Sequence, residues 1–342
     1  MRIPEFLKDG GTIGFAAPSF GCNIEPYKSG FINAQKKFIT MGYNLEIGEN
    51  CYKGCGTGIS NTPEKCGEEL NSFMAKKRAD VVISCGGGEL MCEVLDYVDF
   101  KSIARAEPVW YMGFSDNTNM TFLLPTLCDT AAIYGPCAPA FGMRTWHKSI
   151  QDALDIITNK ISTIYSYGLW EKESLKTEEN PLEPYNVTEK TKTQYYNCNG
   201  RADITGRLIG GCLDCLSILA GTKYDKVPEF NERYKEDGII WFMEACDLNV
   251  MGIRRALWQL KHAGWFKYVK CFLIGRPLCF GEELFGINQY EAVTAVLGEY
   301  NVPVIMDLDI GHLPPMMPLI PGAKVHFKAD GNKAGITYLY EF

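Results

Sequence analysis

The feature that most constrains this chain is the alternation of its first 140 residues between short apolar runs and stretches of helical spacing. Thr12–Ala17, Asp80–Cys85 and Val109–Gly113 read as strands. Tyr27–Met41, Glu89–Tyr97 and Thr118–Leu127 read as helices. Strand and helix alternating at this spacing predict a parallel sheet with helices on both faces. In such sheets, ligands sit at the carboxyl ends of the strands. From Tyr165 to Arg201 the chain turns polar and reads as a linker or long loop that carries Trp170, Tyr185, Tyr195 and Tyr196. A second α/β unit follows. Gly238–Met243, Val269–Ile274 and Val304–Leu308 are its expected strands, and Met251–His262 and Gln289–Leu297 its expected helices. A closing hairpin turns at Asp330-Gly331. The expected division is therefore 1–164, 165–201 and 202–342, in keeping with about 100–200 residues per domain.

The charge balance is −7, with no cluster of Lys and Arg. Nucleic acids and anionic membranes reward such clusters, so neither is expected as a partner. Lys76-Lys77-Arg78 reads as solvated helix surface. The N-terminus shows no apolar signal region, and no apolar run approaches the roughly 18 residues a membrane span needs. The expected location is cytoplasmic. Fourteen cysteines spread over 342 residues suit a reducing compartment better than a disulfide framework. The one CxxC, Cys212 to Cys215, has no second pair at zinc spacing, and no metal site is expected.

Three segments carry residue types suited to chemistry. In Gly113-Phe114-Ser115-Asp116-Asn117 a strand ends, a serine follows and a helix begins. That turn holds a hydroxyl out of the sheet, and the helix start offers backbone N–H groups to a developing oxyanion. The same residue types also make an ordinary helix N-cap. With Asn117 in place of a second glycine, the G-x-S-x-G elbow of α/β-hydrolases is incomplete. Gly86-Gly87-Gly88 follows a strand and fits neither the dinucleotide fingerprint nor the P-loop. It reads equally as an oxyanion loop or a tight turn. Among the four histidines, only His312 lies on a Gly- and Pro-bounded loop just past a strand, a position suited to a base. Glu244 closes an apolar strand. Orienting an imidazole and capping a helix are its two readings.

Taken in order, several segments resemble the peptidase S66 family, which comprises LD-carboxypeptidases and the microcin C7 self-immunity proteins. They are Gly14-Phe15-Ala16-Ala17-Pro18-Ser19, Gly86-Gly87-Gly88, Gly113-Phe114-Ser115-Asp116 and Tyr134-Gly135-Pro136, then Gly206-Arg207-Leu208-Ile209-Gly210-Gly211, Gly221-Thr222, Glu244, Ile274-Gly275-Arg276 and Gly311-His312. The resemblance implies a Rossmann-like N-terminal nucleophile domain and a smaller α/β C-terminal domain. It also implies a triad of Ser115, Glu244 and His312, an oxyanion hole from the amides of Gly87 and Asp116, no metal or organic cofactor, and a homodimer. The expected reaction is hydrolysis of the L,D bond before the terminal D-Ala of a murein tetrapeptide, a peptidoglycan-recycling role. The alternative within the family is an amide of a peptidyl or aminoacyl adenylate. The long 165–201 stretch resembles the immunity branch, in which a loop aromatic stacks on a nucleobase. Trp170 is the strongest candidate for that contact, although anchoring the loop is the preferred reading of it. Gly88 is a further candidate substrate contact. A non-catalytic protein that binds an anionic ligand at Gly86–Gly88 is the rival from another class.

Overall fold

A computed structural model describes residues 1–340. The chain divides into two compact units, the first comprising Met1–Ile161 and Glu173–Asn186, the second Ser162–Lys172 and Val187 onward. The architecture is α/β in both.

The first unit is built on a five-stranded parallel sheet. Its strand order is Asn44–Ile47, Thr12–Ala16, Val81–Ser84, Trp110–Gly113, Ile133–Tyr134. The chain starts in an inner strand, moves to one edge, then crosses back to build outward on the other side. That reversal lies between Thr12–Ala16 and Val81–Ser84, the point where such sheets open a crevice at their carboxyl ends. The segments leaving these two strands are Ala17-Pro18-Ser19 and Cys85-Gly86-Gly87-Gly88. The next strand over, Trp110–Gly113, delivers Ser115. Strands buried on both faces read as continuous apolar runs, as Val81–Ser84 and Trp110–Gly113 do.

The helix Pro63–Lys76 starts at Thr62, whose side chain accepts from the Lys65 N–H, with Pro63 in the first turn, where its missing N–H costs nothing. Its apolar side, Cys66, Leu70, Phe73 and Met74, packs into a core with Val82, Tyr111, Met120 and Leu124. Each such side chain contributes about 1.5–3 kcal/mol on burial. The same helix supplies Glu69, a buried carboxylate that accepts the N–H groups of Ala17 at 2.7 Å and Asn50 at 2.8 Å. This fixes the exit of the first strand, just before Ser19.

The second unit carries an eight-stranded mixed sheet. The order runs Thr163–Tyr165, Lys333–Tyr338, Lys324–Asp330, Arg201–Cys212, Ile239–Glu244, Val269–Gly275, Val304–Leu308, Gln194–Tyr196. The four strands from Arg201–Cys212 to Val304–Leu308 are parallel, and antiparallel strands flank them on both sides. Trp241 and Trp265 stack at 5.8 Å in its core. The helix Val250–His262 is capped by the Asn249 side chain, and Gln289–Leu297 opens with a capping box between Asn288 and Glu291.

The stretch 165–201, expected as a linker or loop, carries the short strands Leu169–Trp170, Glu189–Lys190 and Gln194–Tyr196 and supplies residues to both units. The strand Arg201–Cys212, 12 residues long, carries Cys212 to the N-cap of the following helix, Leu213–Leu219. No helix among the described residues is long and apolar enough to cross a membrane.

Candidate active site

In the first unit, Ser115 opens a 3₁₀ turn, Ser115–Asn117, directly after the strand Trp110–Gly113 and Phe114. The cap position falls on Phe114, so Ser115 is not the N-cap its sequence context also allowed. Its φ is +63°, a left-handed conformation that costs a non-glycine residue about 1–3 kcal/mol. Such strain persists where the surroundings over-determine it. The Ser115 N–H donates to the buried Tyr134 hydroxyl at 3.2 Å. Asn117 locks the turn from beneath. Its amide donates to the carbonyls of Gly86 at 2.9 Å and Phe114 at 3.1 Å, and its oxygen accepts the Tyr111 hydroxyl at 2.5 Å.

Gly87 sits against this turn. A Cβ built on it would lie 2.8 Å from the Ser115 Cβ, 3.0 Å from its Oγ and 3.6 Å from the Asp116 nitrogen. Only a glycine lets the loop come so close. Gly87, Ser115 and Asp116 are therefore neighbours. Gly88 lies over Ser19 and the Gly58 carbonyl. The Asp116 carboxylate is buried and spoken for: its Oδ2 accepts the Ser19 hydroxyl at 2.5 Å and the Met91 N–H at 3.0 Å. Asp116 thus fastens the exits of three adjacent strands, which leaves only its backbone for any work on a substrate.

In the second unit, Glu244 ends the strand Ile239–Glu244 with its carboxylate fully buried, and its Oε2 lies 2.8 Å from Nδ1 of His312. The pair resolves the two sequence readings of Glu244 toward the imidazole. Burial of the ring works against its charge. The charge of the adjoining Glu244 carboxylate, helped by the hydrogen bonds the ring donates to Cys246 and Glu244, outweighs that and holds the imidazole well above its ordinary value. The Cys246 thiol is pushed up by burial and pulled back partway by His312. The segment behind Glu244 is held by Asp214, whose two oxygens accept the N–H groups of Cys246 at 3.0 Å and Asp247 at 2.9 Å.

Trp170 also belongs to the second unit. Its indole is 4% exposed, with its ring 5.1 Å from Cζ of Arg276 and 5.1 Å from the Phe280 ring, which is the packing of an anchor. The fourteen cysteines are free thiols, and burial pushes Cys128 and Cys137 up to about 12, where thiols are inert. The described residues contain no His, Cys, Asp or Glu group suited to a metal ion.

The sequence marks Ser115, Gly87, Asp116, Glu244 and His312 as candidates; it does not mark Asn117, Tyr134, Ser19 and Asp214, which bond to those residues or to the segments beside them. For Tyr134 and Ser19 the signal was their place at the carboxyl ends of neighbouring strands. Asn117 had been seen only as the residue that spoils a glycine motif.

Comparison with known proteins agrees with this architecture. Residues 13–135 match the LD-carboxypeptidase N-terminal domain and residues 205–327 its C-terminal domain. The chain is 27% identical to the microcin C7 self-immunity protein of Escherichia coli, over 98% of this chain and 95% of that one. It is 25% identical to a Vibrio cholerae protein named as a carboxypeptidase, over 93% and 92%. A solved structure of the self-immunity protein without ligand superposes with a TM-score of 0.82 at 25% identity, covering 99% of both chains. By these matches, in both domains and in order, the chain belongs to the peptidase S66 (LD-carboxypeptidase) family of serine-type hydrolases.

Proposed function

We propose that the protein is a carboxypeptidase that cleaves an amide bond near a free carboxylate with Ser115 as nucleophile, His312 as base and Glu244 as its orienting carboxylate. The observation that carries this reading is the 2.8 Å contact between a buried Glu244 and the His312 Nδ1. It leaves Nε2 as the nitrogen for proton transfer. Ser115 Oγ attacks the carbonyl carbon and its proton passes to Nε2. The carbonyl oxygen becomes an oxyanion received by the amides of Gly87 and Asp116. Collapse expels the amine, which takes the proton back from His312, and leaves an acyl-serine. Water, deprotonated by the same nitrogen, then attacks the ester and releases the acid and Ser115. No step calls for a metal or organic cofactor. The protein acts as a cytoplasmic homodimer, and Gly88 lets the substrate approach the oxyanion loop.

The substrate that suits the family is the L,D bond before the terminal D-Ala of a murein tetrapeptide, released during peptidoglycan recycling. Purified protein is expected to free D-Ala from that tetrapeptide, and Ser115→Ala to free none. A second reading is favoured by likeness over nearly the full chain to the microcin C7 self-immunity protein, of which one solved structure holds adenosine monophosphate and another aspartyl sulfamoyl adenosine. Intact tetrapeptide together with hydrolysis of an aminoacyl or peptidyl adenylate would transfer the function to that substrate. Inertness toward both, with binding retained, would instead make the chain an anionic-ligand binder.

A further inference from the structure

We propose that Trp170, Arg276 and Asp309 are positioning residues, forming a buried brace that sets the His312 loop against Glu244. The proposal rests on the triad reading above and extends it to residues that touch no reacting atom.

Arg276 follows the strand Val269–Gly275, and Asp309 follows the adjacent parallel strand Val304–Leu308, where Gly275 and Leu308 are in register. Both side chains are sealed from solvent, Arg276 at 1% and Asp309 at 0% exposure. Arg276 Nη1 donates to the Asp307 carbonyl at 2.8 Å and Nη2 to Oδ1 of Asp309. The other carboxylate oxygen accepts the Tyr167 N–H at 2.6 Å, and the Asp309 carbonyl accepts the Met317 N–H at 2.7 Å. The Trp170 indole covers the guanidinium, and Phe280 meets that indole at 65°. Arg276 Nε has no partner among the described residues, so the guanidinium is held for its two Nη contacts at the expense of a buried donor.

A buried ion pair is a poor source of net stability, because desolvation offsets its attraction, and apolar replacements of similar size often do as well. What this pair does supply is a fixed point at the start of the His312 loop, on whose backbone the far end of the loop is in turn fastened. Asp309 is locked at the strand exit by bonds to three separate segments, and Met317 closes the far side. Between them, Gly311 lies directly against the Glu244 carboxylate. A loop pinned at both ends has one position for its imidazole. Displacements near 1 Å cost about 100-fold in rate in sites of this kind.

The test uses the full-length chain and the double variant Arg276→Met/Asp309→Leu, which removes both charges and strands neither. Its melting temperature, its kcat and KM on whichever substrate the wild type turns over, and the NMR titration of ¹⁵N-labelled histidine, with His312 assigned from its loss in His312→Gln, are compared with wild type. A brace predicts a folded protein whose His312 midpoint falls by about one unit toward the ordinary imidazole value. It also predicts a kcat about 100-fold lower at little-changed KM. Trp170→Leu is expected to move the midpoint the same way by less, and Trp170→Phe to retain it. An unchanged His312 midpoint in a folded double variant overturns the proposal. If the double variant does not fold, an unchanged midpoint in Trp170→Leu overturns it. Because the titration needs no substrate, it reads the brace even if the wild type hydrolyses nothing, an outcome that would count against the proposed function alone.

Discussion

Nδ1 of His312 and Oε2 of Glu244 lie 2.8 Å apart, the carboxylate fully buried and the ring 13% exposed. The contact favours the imidazolium, and burial, though it opposes the charge, loses to it. A base must be neutral to accept a proton, so kcat/KM is expected to rise with pH through a midpoint above the ordinary 6.5 or so. Glu244→Gln removes the stabilising charge, so the limb should move toward lower pH while kcat falls by about 10⁴-fold, the loss seen when a triad carboxylate becomes an amide. The sign for stability follows from the same shift. A folded value raised above the unfolded one gives a contribution that is full below about pH 6.5 and is lost as pH rises through the folded value. A pH–rate profile of the wild type whose acid limb lies at or below 6.5 would contradict this account.

The φ of +63° at Ser115 sets function against stability at one position. Glycine adopts that conformation without steric cost, though it gives up about 0.5–1 kcal/mol of chain entropy against a strain of about 1–3 kcal/mol. Ser115→Gly is therefore expected to raise the unfolding free energy by about 1 kcal/mol and to abolish turnover. Ser115→Ala keeps the strain and should abolish turnover with no such gain. Urea melts of the three proteins decide it, and a destabilised Ser115→Gly would show that the turn is not strained.

Gly87 tests the oxyanion loop. A methyl group there meets the Ser115 Cβ at 2.8 Å and Oγ at 3.0 Å, so loop or nucleophile must shift. Either shift misaligns an oxyanion donor, whose loss costs about 2.7–4 kcal/mol of barrier. Gly87→Ala is expected to lower kcat by about 10²–10³-fold while KM changes little. A fall confined to KM would assign this loop to substrate binding instead.

The parts of the fold that the sequence made legible are those in which local pattern and tertiary environment agree. Gln289–Leu297 and Val304–Leu308 are observed with the expected bounds, because an Asn–Glu capping box opens the helix and a fully buried run, apolar except for Asp307, makes the strand. Arg201–Cys212 was hidden because Gly206, Gly210 and Gly211 dilute its strand propensity, and its last residue opens the Cys212–Cys215 motif, which reads as helix. Pro63–Lys76 was overlooked although Thr62-Pro63 marks its start and Leu70, Phe73 and Met74 its apolar face. The candidates Ser115, Glu244 and His312 stand out in the sequence because each follows or ends a strand. Their supports, Asn117 under Ser115 and Arg276 beside Asp309, act through contacts between segments distant in sequence, which no local pattern records.

The Gly311 position joins backbone conformation to the chemistry of its neighbour. Its φ is +101°, which side chains rarely tolerate, and a Cβ there would lie 2.5 Å from Oε2 of Glu244, the oxygen that meets His312. Alanine at this position must push the carboxylate or the loop aside, and there is no flexible solvent-exposed atom to yield. Gly311→Ala is expected to destabilise the protein by about 1–3 kcal/mol, as conformational strain of this kind does. In the fraction that remains folded, the His312 midpoint should fall, because the carboxylate that raises it is displaced. Thermal melts and the histidine titration measure the two effects separately. A variant that lost stability but kept the wild-type midpoint would mean that the Glu244–His312 contact survives movement of the loop, and that its geometry is set on the Glu244 side, by the bonds from Cys246 and Asp247 to Asp214.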